Sequence, residues 1–222
     1  MKTYCITIIT ICICITACDS TKQFTTNDTL CNYDDPIFTI TQEEMTFDID
    51  RYKKQLKKGG NIIIENNDSY TNIIYQWKGD SVITNKQTDK QANIEKTIKY
   101  DTKGQSLVSY FMYHSILINK ATYYDNIGNI NKVIDHRQAD KYPICYKEAL
   151  KITEGLKRKR DSIFAITRDS LVTDVKKTYV WKVFIDEPQD PEVTQHAKSW
   201  CYVINAQTGK VIKKVKVTAN PG

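Results

Sequence analysis

Residues 93–113 read NIEKTIKYDTKGQSLVSYFMY. Two runs rich in Ile, Val, Thr and Tyr flank one short break, Tyr100-Asp101-Thr102-Lys103-Gly104. β-Branched and aromatic side chains fit a pleated, half-buried surface. Asp101 can accept from the backbone amides that follow it, and Gly104 can supply the positive φ that closes a turn. The stretch therefore predicts two antiparallel strands joined by a tight turn. Outward from it, NIIIEN, TNIIYQW, SVITN, SILINKATYY and NINKVID repeat the composition between residues 61 and 135, each bounded by Gly, Asn or Asp. Together these segments predict an antiparallel β-meander.

The turn recurs as Tyr124-Asp125-Asn126-Ile127-Gly128. A tyrosine before each turn can pack across the sheet. The pair resembles the YDxxG units of repeat β-meander proteins, among them the tyrosine–aspartate repeats of bacterial surface proteins and the MORN-like antitoxin repeats. That resemblance implies a meander and, as one alternative for function, an immunity or antitoxin-like role.

Upstream, TQEEMTFDIDRYKKQLKKGG (41–60) places Met45, Ile49, Tyr52 and Leu56 on one helical face. Thr41 and Glu44 fit a capping box, Thr46 is a later N-cap, and Gly59-Gly60 ends the helix. Such a helix would cover the sheet. The expected lobe is residues 37–138.

Past Pro143, CYKEALKITEGLKRKR predicts a helix, with Ala149, Ile152 and Leu156 on one side. SIFAITRDSL fits a strand or a helix. TYVWKVFID is apolar on both faces, as a strand inside a sheet must be. WCYVINAQTGKVIKKVKV predicts a hairpin turning at Asn205–Gly209. Glu148, Ala149, Leu150 and Ile152, then Tyr179, Trp181 and Val183, then Tyr202, Val203, Ile204, Thr208, Gly209, Lys210 and Val211 resemble the PepSY domain. That family occurs in metallopeptidase propeptides and in exported or membrane-tethered bacterial proteins. The resemblance implies a small α+β module over 139–222 and, by analogy, modulation of a protease. The fold class expected for the chain is thus α+β: a helix-covered antiparallel meander followed by a PepSY-like module. Residues 186–198, DEPQDPEVTQHAK, are a polar insertion relative to that family. It is either tolerated length or a partner contact, for which Trp181, Glu187, Asp190 and Glu192 are the candidate residues.

The N-terminus sets the expected compartment. Lys2 precedes an uncharged apolar run, YCITIITICICITA, of signal-peptide length and too short for a comfortable membrane span. Ile15-Thr16-Ala17-Cys18 resembles the lipobox of bacterial lipoproteins. The resemblance implies cleavage after residue 17 and acyl chains on Cys18, two or three of which anchor a protein stably. Residues 18–36, polar and closed by Pro36, read as a tether whose root-mean-square span is roughly 23 Å. The expected location is the bacterial cell envelope. The cysteines left besides Cys18 are Cys31, Cys145 and Cys201. An oxidising compartment permits one disulfide, and Cys145–Cys201 is the expected pair because both fall in one lobe.

Little in the chain names a reaction. His114, His136 and His196 are not paired at metal-ligand spacing, so neither metal nor cofactor is expected. His196 and Cys201 could make a thiol–base pair, but Cys201 between Trp200 and Tyr202 reads better as a packed strand residue. Lys157-Arg158-Lys159-Arg160 reads as a solvated helix end or an anionic-lipid contact. The net charge of +6 is spread among 26 acidic residues, and no nucleic-acid motif is present. The expected function is that of a non-enzymatic protein-binding lipoprotein held to the bilayer through Cys18, with a structural envelope role as the blander alternative.

Overall fold

In the computed structural model, which describes residues 30–188 and 198–217, both predicted turns close as their chemistry requires. Asp101 Oδ1 accepts from the amides of Lys103 (2.8 Å) and Gln105 (2.9 Å). Asp125 Oδ1 accepts likewise from Ile127 (3.0 Å) and Asn129 (2.8 Å). Gly104 and Gly128 sit at φ 84° and 86°.

These turns belong to a seven-stranded antiparallel meander: β1 (Asn61–Asn66), β2 (Tyr70–Tyr75), β3 (Ile83–Asp89), β4 (Ile94–Tyr100), β5 (Ser106–Tyr113), β6 (Ile116–Tyr124) and β7 (Ile130–Asp135), each paired to its sequence neighbour. Its inner face carries Ile74, Ile83, Ile98 and Tyr100 toward one end and Ile94, Phe111, Ile116 and Ile118 toward the other, all buried.

Helix α1 (Ile49–Lys58) covers the first group through Ile49, Tyr52 and Leu56. It begins later than Thr41 and Glu44 suggest. Glu44 does accept from the Thr41 amide (2.8 Å), but that turn is a three-residue 3-10 helix, Glu43–Met45. The other carboxylate oxygen reaches down to Lys96 (2.6 Å) and Gln87 (2.9 Å), and the Glu44 carbonyl accepts from the Tyr100 hydroxyl (2.8 Å). The chain then runs extended at Thr46, which bridges to Gln105, and Asp48 caps the helix by accepting from the Arg51 amide (3.2 Å).

The C-terminal part corrects the expected fold class. Helix α2 (Tyr146–Glu154) is only nine residues long, and the ambiguous segment after it is an eleven-residue strand, β8 (Ser162–Val172). With β9 (Lys177–Asp186), β10 (Ser199–Asn205) and β11 (Val211–Val217) it forms a four-stranded antiparallel sheet, ordered β11-β10-β9-β8. Two antiparallel sheets with two short α-helices make a mostly β protein, not a helix-covered α+β chain ending in a PepSY-like module. The second sheet shares the meander's core. Ile166, Trp181, Val183, Ile185 and Ile204 join Phe111, Ile116, Ile118 and the α2 residues Tyr146 and Ala149 in one cluster. Arg168 on β8 fastens the sheets: its Nη1 donates to the Leu117 carbonyl of β6 (2.8 Å), and its guanidinium lies over Trp181 (5.0 Å) and Tyr142 (5.4 Å).

The disulfide is also corrected. Cys145, the N-cap of α2, bonds to Cys31, while Cys201 is a buried free thiol. Cys201 lies on the opposite face of the second sheet, with Val180 and Val203, so the sheet itself separates it from Cys145. Residues 31–36, read as the end of a tether, therefore belong to the fold, and Tyr33, Ile37 and Phe38 pack against the core. No helix among the described residues is long and apolar enough to cross a membrane.

Candidate functional site

The strand register sorts the meander's side chains into two faces, because neighbours along a strand point to opposite sides. One outer row runs across all seven strands: Asn61, Tyr75, Thr84, Lys99, Val108, Tyr123, Lys132. Beside it runs Ile63, Ile73, Lys86, Thr97, Tyr110. None of these apolar or aromatic side chains belongs to a core cluster among the described residues. Ile63 is 62% exposed, and Trp77, just past β2 and edge-on to Tyr75 at 5.8 Å, is 72% exposed. Lys86 pairs with Glu95. Lys99 and Lys132 instead lie 6.0 Å over the rings of Tyr110 and Tyr123. The outer face thus carries half-buried aromatic and aliphatic side chains, exposed at Ile63, Trp77 and Tyr123, with Lys99 and Lys132 in no ion pair among the described residues.

A second feature lies on the inner side. Between the 33–40 segment and strands β5, β6 and β7, a cleft of about 440 Å³ opens over Ser109, Phe111, Thr122 and Tyr124. Its neighbour, about 330 Å³, is lined by Cys31 and Cys145. Tyr33 and Arg137 border both, the guanidinium 5.7 Å over the ring. Asp135 holds Arg137 through paired hydrogen bonds (2.9 Å each from Nε), and this contact keeps the Asp135 carboxyl below its ordinary range. Burial pushes the Tyr33 hydroxyl up.

The residues expected to meet a partner fare differently. Trp181 is 1% exposed and donates through Nε1 to the Ile144 carbonyl (2.7 Å), so it is a core residue and not a contact. A central strand shared by two apolar clusters leaves its indole no route to the surface. Glu187 accepts from Trp200 Nε1 (2.7 Å) and pairs with Arg158 (2.5 Å), the arginine contact lowering its pKa. Asp190, Glu192, His196 and Cys18 lie outside the described residues. The basic cluster follows α2 instead of closing it: Lys157 meets Glu154 (3.1 Å), and Arg158 also meets Asp161 (3.3 Å). Among the described residues no three His, Cys, Asp or Glu side chains gather to hold a metal. The 14 tyrosines and three tryptophans could form an aromatic ligand surface but read in the sequence mostly as cross-strand packing, so neither Trp77 nor the outer rows stand out there. Only the lone Trp at a strand end, before Lys78-Gly79-Asp80, signals an exposed aromatic there.

No family model, curated protein or solved structure matches this chain.

Proposed function

We propose that this chain is a lipid-anchored envelope protein, acylated at Cys18, that acts without catalysis by docking an acidic protein on the outer face of its meander. The observation that carries the reading is the aromatic and aliphatic row on β1 and β2, exposed at Ile63 and Trp77 and half-buried at Ile73 and Tyr75, on the same face as Lys99 of β4 and Lys132 of β7. Exposed aromatics at the centre of a patch are the residues that most often dominate binding. Lysines in no ion pair favour an anionic partner through steering and register. Any tether from Cys18 enters the fold at Cys31, which the disulfide fixes to α2, away from that outer face.

Two experiments test it. Fatty-acid labelling should mark the wild type and not Cys18→Ala; label in both, or in neither, rejects the anchor. A photo-crosslinker at Tyr110 should capture one acidic envelope protein, and Lys99→Glu with Lys132→Glu should abolish the adduct. An adduct unchanged by the charge reversals, or none, rejects the docking face.

A further inference from the structure

We infer that the 440 Å³ cleft is a binding site for a neutral, polyhydroxylated ring, that is, a saccharide unit. This site is separate from the outer docking face and does not depend on it.

The volume falls in the range of small-molecule sites. The lining then selects the chemistry by elimination. It contains two acids, Asp34 and Asp35, and two bases, Lys120 and Arg137, so no net charge favours an anion or a cation. Two of those four groups are already engaged: Arg137 is clamped by Asp135, and Asp35 Oδ1 accepts from the Ile37 amide (3.0 Å). A purely apolar ligand fits no better, because five lining residues bring hydroxyls: Tyr33, Thr39, Ser109, Thr122 and Tyr124. An apolar guest would strip water from those groups without replacing its hydrogen bonds. A peptide would look for unpaired main chain, and the floor strands β5 and β6 are each paired on both sides.

What remains on offer is side-chain hydroxyls beside aromatic rings. Ser109 Oγ and Tyr124 Oη are hydrogen-bonded to each other at 3.1 Å; one of the two keeps its proton for a guest, and both keep lone pairs that can accept from a guest hydroxyl. Phe38 stands edge-on to Phe111 at 5.2 Å, giving the floor an apolar wall. A sugar ring presents this combination, with hydroxyls around its rim and C–H groups across its faces.

The test uses the full chain, screened against an array of neutral and acidic oligosaccharides. The best neutral sugar is then titrated calorimetrically against wild type, Tyr124→Phe and Ser109→Ala. These variants delete hydroxyls and keep the ring or the backbone, so the fold is retained. Each is expected to weaken binding about fivefold or more, the effect of one net hydrogen bond. Tyr110→Phe on the outer face should leave it unchanged. The inference is overturned if no neutral sugar binds at up to about 1 mM, if only acidic glycans or peptides bind, or if Tyr124→Phe and Ser109→Ala bind as tightly as wild type.

Discussion

The Phe47 carbonyl oxygen stands 2.1 Å from where a β-carbon on Gly104 would lie. The same carbonyl-bearing residue donates its amide to the Gly104 carbonyl (2.8 Å), so the turn between β4 and β5 is stitched to the entrance of α1. Gly128, in the matching turn, has nothing within 4 Å of its Cβ position. Both glycines have positive φ, which costs an alanine about 1–2 kcal/mol. Gly128→Ala should cost about that much. Gly104→Ala must also move Phe47 and should exceed about 4 kcal/mol, among the exceptional single substitutions. Urea midpoints of the two variants measure the difference; equal losses would show that the Phe47 contact is not needed.

The Cys31–Cys145 bond closes a loop with a sequence separation of 114. In the chain-entropy picture a loop of that size contributes roughly 4–5 kcal/mol. Cys31→Ser with Cys145→Ser should lose most of that, whereas Cys201→Ser should leave the disulfide intact. Peptide mapping after alkylation under native and denaturing conditions reads the pairing, with Cys201 labelled only on unfolding.

Glu44 is the hub of the contact between the 39–46 segment and the sheet. Burial pushes its carboxyl up, but the hydrogen bonds from Lys96, Thr41 and Gln87 outweigh burial and leave it below its usual value. A carboxyl depressed in the fold contributes fully above its unfolded pKa, near 4.3, and the contribution fades as pH falls through the folded value. Glu44→Gln should therefore destabilise the protein at pH 7 by about 1–3 kcal/mol. The deficit should shrink toward zero in acid. Denaturation midpoints measured across pH would show that convergence, and a constant gap would refute it.

Arg168 joins the two sheets by one charged hydrogen bond and two ring contacts. Arg168→Met keeps the length and loses the rest. A loss of about 2–3 kcal/mol is expected, with hydrogen-exchange protection falling on β6 and β8 together. Protection falling on β8 alone would mean the strands are not coupled through this residue.

Trp77 offers the converse. Trp77→Ala should change stability by no more than about 0.5 kcal/mol, as expected for a side chain outside the core, while abolishing the crosslinked partner adduct. A large stability loss would identify the indole as a packing residue.

The meander was legible because its signals are local. Asp and Gly at fixed turn positions and β-branched runs between them need no tertiary information. The start of α1 was not legible, since Glu44 answers both a local amide and a lysine on β4 that the sequence places far away. The strand at 162–172 gave no decisive period because a bulge between Ile163 and Ala165 breaks its alternation, and beyond Ile166 the residues as far as Leu171 are half-buried on both faces. Cys145–Cys201 was expected because both fall in one lobe. It failed because the intervening sheet sets which face each thiol occupies, and that is a property of register. The cleft could not be foreseen from any motif; it forms where the 33–40 segment, far away in sequence, meets β5, β6 and β7.

The same disulfide reroutes mechanical load. A pull applied upstream of Cys31 and downstream of Cys145 passes through the sulfur bridge into α2 and the second sheet. The meander hangs from that line as a covalently closed side loop. Stretched between its ends, the oxidised chain should release only the contour of the segments outside the loop, and the reduced chain should add the whole meander. Under the anchor proposed at Cys18, tension from a membrane would bypass the meander and leave its outer face folded.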